Sequence, residues 1–211
     1  MTQPDFEQAK HYALARLERE LSPNLFYHAL GHTRDDVLPT AERLAALEGV
    51  TTEDRRLLLT AAAYHDLGFL EQYTDNEAVG VRIASEALPR FGYTPEQIQT
   101  IGSLIMATKL PQSPHTRLEE IIADADLDVL GRDDFMPRNQ ALRDELAAYG
   151  CPTTDEGWYR YQLQFLQAHR YFTAAAKSLR AAQKQRNVET LTALLADAIE
   201  QSQMDYGKPN R

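Results

Sequence analysis

The amino-acid sequence predicts an all-α fold, a helical bundle with no significant sheet. Three observations predict it. Apolar residues recur at three- and four-residue spacing along nearly the whole chain. No segment holds the strict alternation expected of a half-buried strand. Helix-starting residues, such as Thr94-Pro95-Glu96-Gln97, stand where the apolar pattern restarts.

Taken in order, Phe6, Tyr12, Ala13, Leu17 and Leu21 mark a first helix. A second spans 33–48, with Val37, Leu44 and Leu47 inward; Pro39 predicts a kink there or a helix starting beside it, and Gly49 a stop. Thr51 or Thr52 caps a third helix, with Glu53 and Asp54 suited to the positive end of its dipole; it runs to about Leu67 and ends at Gly68. A fourth covers 76–88, and Gly92 breaks the chain. The fifth starts at Thr94, carries Ile98, Ile101, Leu104 and Ile105, and ends near Thr108. A loop with two prolines fills 110–116. Further helices fit 118–130, 134–149, 154–170, 172–185 and 188–203, and 207–211 is expected to fray.

The chain has 211 residues, enough for one domain with a sizeable core. With 22 Lys+Arg against 31 Asp+Glu the formal net charge is -9, which argues against a nucleic-acid polymer or an anionic membrane as partner. The single cysteine, Cys151, precludes an internal disulfide and fits a reducing compartment. The first ten residues are polar, unlike a secretory leader, and no apolar stretch approaches the roughly 20 residues of a membrane span. The expectation is a cytoplasmic protein.

Three short patterns carry the chemistry. In Tyr27-His28-Ala29-Leu30-Gly31-His32, a helical backbone would put His28 and His32 on one face, although Gly31 could mark a turn. In Tyr64-His65-Asp66-Leu67-Gly68, a His-Asp pair ends a strongly apolar helix. Burying such a pair is costly unless a cation compensates both groups. In 121–128, an apolar lead-in delivers Asp124, Asp126 and Asp128. Helical geometry puts Asp124 and Asp128 on one face, with Asp126 roughly opposite, facing solvent or another element.

In this order and spacing the patterns resemble the HD-domain superfamily of metal-dependent phosphohydrolases, over 25–131, about half the chain. The resemblance implies one helical domain over 1–211, in which 132–206 completes the core or forms an interface. It also implies a metal held by His32, His65, Asp66 and Asp124. The Tyr-His-x-x-x-His opening is similar to that of cyclic-nucleotide phosphodiesterases and their bacterial relatives, which implies that His28 donates a proton to the leaving oxygen. Ala29 departs from the Asn of that motif. Two imidazoles and two carboxylates suit Mn²⁺, Fe²⁺, Mg²⁺ or Co²⁺ better than a structural zinc site, and leave positions open for water.

The implied activity is hydrolysis of a phosphate mono- or diester, with a small phosphorylated, nucleotide-like substrate; a homo-oligomer is left open. The alternative is a catalytically silent regulatory module that binds metal and nucleotide. Lys109 is a candidate for the substrate phosphate, against the plainer role of a Lys at a helix C-terminus. Glu71, Asn76 and Glu77 are candidates to orient water or support a ligand, against an ordinary helix start at Asn76. Asp128 faces either the site or solvent. A di-iron oxygenase would need further histidines, for which only His115 is available. Alarmone hydrolases and deoxynucleotidases of the superfamily place acidic residues where this chain has Phe69 and Leu70.

Overall fold

The computed structural model describes residues 3–206, so the tail expected at 207–211 lies outside it. Among the described residues there are helices and turns and no strand. The nine α-helices are α1 (Phe6–Glu20), α2 (Leu38–Leu47), α3 (Thr52–Tyr64), α4 (Asn76–Ala87), α5 (Pro95–Met106), α6 (Arg117–Asp126), α7 (Phe135–Ala148), α8 (Asp155–Ala168) and α9 (Ala174–Tyr206).

Local chemistry explains most of the boundaries. Thr51 Oγ1 accepts from the Asp54 N–H at 3.1 Å and opens α3. Reciprocal capping boxes start α5 at Thr94/Gln97 and α6 at Thr116/Glu119. Pro39 lies in the first turn of α2, directly after the π-helical turn His32–Val37, so the helical run from Leu30 widens just before it rather than starting there.

α3 is the central element and packs against α1, α2, α5 and α6. Leu57, Leu58 and every residue from Thr60 to Tyr64 are buried. Each fully buried leucine there contributes about 1.5–3 kcal/mol. A second apolar cluster joins Tyr27, Val129, Leu130, Phe135, Leu166 and Leu191, binding the turn after α6 to α7, α8 and α9. The candidate site lies between the two clusters.

Two segments differ from expectation. The chain has one helix, α9, where two were predicted. Residues 186–187 hold neither Gly nor Pro, and Asn187 turns its amide back to donate to the Leu130 and Arg132 carbonyls, both at 2.9 Å. The third helix stops at Tyr64, and His65–Leu70 tightens into a 3₁₀ turn. A Cβ on Gly68 would stand 1.8 Å from the Asn76 carbonyl oxygen, so Gly68 permits α4 to dock on this turn rather than simply ending a helix.

Candidate metal centre

Three segments bring the site together. Residues 26–29 are irregular, the helix begins at Leu30, and His32–Val37 is π-helical, with the Leu38 N–H reaching Thr33 O. Such widened turns are frequent at functional sites. Gly31 is ordinary helical backbone, not a turn. The 3₁₀ turn after α3 presents His65 and Asp66, and the last residue of α6 presents Asp126.

One ligand atom from each of His32, His65 and Asp66 lies within 4.8 Å of the others, and all three residues are buried. Asp126 Oδ1 stands 3.1 Å from His32 Nε2 and 3.5 Å from His65 Nε2. His65 Nε2 and Asp66 Oδ2 have no hydrogen-bond partner among the described residues. The other His65 nitrogen, Nδ1, is 2.9 Å from the Ala62 carbonyl, which leaves Nε2 as the lone-pair nitrogen facing the carboxylates. Buried lone-pair atoms crowded together in this way could hold a metal ion. Burial opposes charge on each of these groups, yet the attraction among them prevails. Asp66 and Asp126 hold the His65 pKa well above the ordinary histidine value, and His65 with His32 holds both carboxylates below theirs.

The expected fourth ligand, Asp124, is not part of this cluster. It is fully buried, and its two oxygens accept the Phe172 and Thr173 N–H groups, each at 2.8 Å, fixing the start of α9. Burial raises its pKa, with the two N–H bonds opposing. Asp126, not Asp124, is the α6 carboxylate that stands beside His32 and His65. Both carboxylates follow buried isoleucines by one turn, Ile121 for Asp124 and Ile122 for Asp126, because α6 is buried around most of its circumference.

His28 lies beside the cluster, its ring 5.7 Å from that of His32 and 4.4 Å from that of Phe69. Its Nδ1 is 2.5 Å from Glu145 Oε1, and Tyr73 Oη donates to the same oxygen at 3.0 Å. The other Glu145 oxygen accepts the Tyr27 and His28 N–H groups at 2.9 and 3.0 Å. Burial is the largest single influence and lowers the His28 pKa, but the Glu145 bond together with the charges of Asp66, Glu145 and Asp126 outweighs it and the net shift is upward. Glu145 was not singled out in the sequence. Its signal is an acidic residue on the α7 face that also carries Phe135, Leu142 and Leu146.

A cavity of about 220 Å³ opens from His28, Asp66 and Asp126. Asn76 and Glu77 line it, as expected of residues near the site. Apolar walls come from Phe69, Leu130, Phe135, Leu142, Leu146 and Phe165, and Arg138 is the one Arg or Lys side chain among the lining residues. Arg138 also pairs with Asp36 at 2.7 Å.

Four other candidates lie elsewhere. Lys109 is exposed and donates to Asp75 Oδ1 at 2.5 Å; its neighbours Thr108 and Leu110 line the cavity, and it does not. Glu71 is exposed and bound to Arg82 at 2.5 Å. Asp128 is buried under a two-pronged contact from Arg180, at 2.6 and 2.7 Å, and so anchors α9. His115 is exposed on a separate groove bordered by Val81, Ile98 and Met106.

No family model matches the chain, and neither a curated protein nor a solved structure matches it. No helix among the described residues is long and apolar enough to cross a membrane.

Proposed function

We propose that the chain is a metal-dependent hydrolase of phosphate mono- or diesters, related to the HD-domain superfamily that its motifs resemble. The observation that carries this reading is the buried group His32, His65 and Asp66, with Asp126 beside both imidazoles and two atoms unpartnered, next to a cavity lined by Asp66, Asp126, His28 and Arg138.

His32, His65, Asp66 and Asp126 would hold a divalent cation, with Mn²⁺, Fe²⁺, Mg²⁺ or Co²⁺ suited to this donor set. Such a cation supplies Lewis acidity, neutralising phosphoryl oxygens and lowering the pKa of water. Arg138 contributes a positive charge to the same cavity, whereas Lys109 lies outside it. His28 is the proton donor. Glu145 engages Nδ1 and favours the charged ring, which leaves the other nitrogen to protonate the departing oxygen. Asn76 and Glu77 border the space in which water would be oriented. The small cavity suits a compact phosphoester.

The test is to strip the protein of metal, reload it with Mn²⁺ and assay a panel of phosphate mono- and diesters. Hydrolysis that depends on the metal is expected. His28→Ala should keep the metal and lose about 10²–10³-fold in turnover. Inactivity across both ester classes with several metals would sink the reading, and metal-dependent ligand binding without product would favour a silent regulatory module.

A further inference from the structure

The end of the cavity remote from the metal cluster has a chemistry of its own. It is walled by α7 and α8, the helices that belong to none of the three motifs. Two carboxamides interrupt its apolar surface. Asn139 is buried, at 4 % exposure, and its Oδ1 accepts the Trp158 indole N–H at 2.6 Å. That bond fixes which end of the amide is oxygen, so Nδ2 is a donor with no partner among the described residues. Gln162, one turn beyond Trp158 on α8, is also buried, lines the cavity and makes no side-chain hydrogen bond among the described residues. A buried donor without an acceptor destabilises the folded chain, and an acceptor brought by a ligand relieves that penalty. Phe135, Leu142 and Phe165 beside the amides favour an uncharged, flat apolar group. The volume, about 220 Å³, lies below the range of about 300–1,000 Å³ that accommodates larger ligands.

We propose that this wall is a specificity subsite, selecting phosphoesters whose organic part is a single uncharged ring bearing a hydrogen-bond acceptor for Asn139 and Gln162. The proposal rests on the hydrolase reading in taking the cavity as the substrate site. It differs in assigning substrate choice to α7 and α8, whereas the metal end accepts any phosphoryl group. Discrimination of this kind is strong because the wrong ring leaves the site's own polar atoms unsatisfied.

Trp158 is the only tryptophan in the chain and is bonded to Asn139, so its fluorescence reports on the subsite. The experiment titrates Mn²⁺-loaded protein at pH 8 with 3-pyridylphosphonate and phenylphosphonate, which are not hydrolysed and differ by one ring nitrogen. The pyridyl compound is expected to bind about five- to tenfold more tightly, the worth of one hydrogen bond. Asn139→Asp keeps an acceptor for Trp158 and removes the donor. Gln162→Met removes an amide that no protein group uses. The preference should fall towards unity in both. Equal binding by the wild type, or a preference that survives both substitutions, would overturn the proposal. Hydrolysis of 3-pyridyl and phenyl phosphates is measured alongside. Turnover of neither, with the binding preference intact, would defeat the hydrolase reading and leave the subsite standing. Turnover of both without preference would do the reverse.

Discussion

At one end of the cavity, His32, His65, Asp66 and Asp126 crowd lone pairs together, and two of their atoms go without partners. At the other, α7 and α8 close the same space with Phe135, Leu142, Leu146 and Phe165, which need no partner beyond one another. The first arrangement is held by imidazole–carboxylate attraction, and wherever a cation is absent it leaves two buried atoms without partners. The second contributes stability by burial alone. The ligand set and these four apolar side chains should therefore respond differently to substitution, the first through metal and turnover, the second through folding.

The largest effect, and the most direct attempt to break this distinction, compares two carboxylates two positions apart. Asp126→Ala removes a ligand, and metal affinity should fall by more than about a hundredfold, beyond the loss seen for residues that only support ligands. The metal-free protein should also lose some stability, since His32 and His65 favour the charged form of Asp126 in the folded chain. Asp124→Ala should keep a full complement of metal. It strands the Phe172 and Thr173 N–H groups and should destabilise the fold by about 2–4 kcal/mol. Elemental analysis and chemical denaturation of the two variants read both quantities. Metal loss from the Asp124 variant with retention in the Asp126 variant would reverse the assignment.

A smaller effect is expected where the two ends meet. Glu145 belongs to α7 yet acts on His28, through a 2.5 Å contact that favours the charged ring. Glu145→Gln can still accept the Tyr27 and His28 N–H groups but removes the negative charge. The His28 pKa should then fall. A proton donor works only while protonated, so the basic limb of the pH–rate profile should move to lower pH, with metal content unchanged. An unmoved limb would show that Glu145 only holds the backbone of 27–28.

Periodicity made the helical class legible, and the motifs made the grouping of His32, His65 and Asp66 legible. A His-Asp pair at the end of an apolar helix has few fates other than a cation, and periodicity marks which face is buried. Asp124 and Asp126 could not be told apart, because α6 is enclosed on most sides and each carboxylate follows a buried isoleucine. What decides between them is the approach of residues 172–173, a tertiary contact nearly fifty positions away. Lys109 fitted a phosphate role by position alone, and its exposed pairing with Asp75 across 34 residues carried no local signature. Glu145, Arg138 and Asn139 were hidden for the same reason. Each lies on an α7 face that mixes charge with apolar residues, so α7 gives a weak periodic signal although it lines the cavity.

The smallest expected effect sharpens the contrast between the histidines of the two regions. His65 sits among carboxylates that raise its pKa, whereas His169, just past α8, has no hydrogen-bond partner for either ring nitrogen among the described residues. Burial, helped by the nearby Lys184 ammonium, lowers the His169 pKa from 6.5 to about 4. The ring is then neutral in the folded chain down to about pH 4, while the unfolded chain takes up a proton as pH falls through about 6.5. The unfolded state binds more protons across that window, so the stability His169 contributes is complete above it and is lost as pH falls towards about 4. Allowing for its partial exposure, the loss between pH 7 and pH 5 should be about 1 kcal/mol. His169→Phe keeps a ring against Phe165 and Tyr171 and cannot titrate. The difference between wild type and variant in unfolding free energy, measured at both pH values, isolates the effect from the carboxylates they share. An identical pH dependence in the two proteins would show that His169 is solvated and ionises freely.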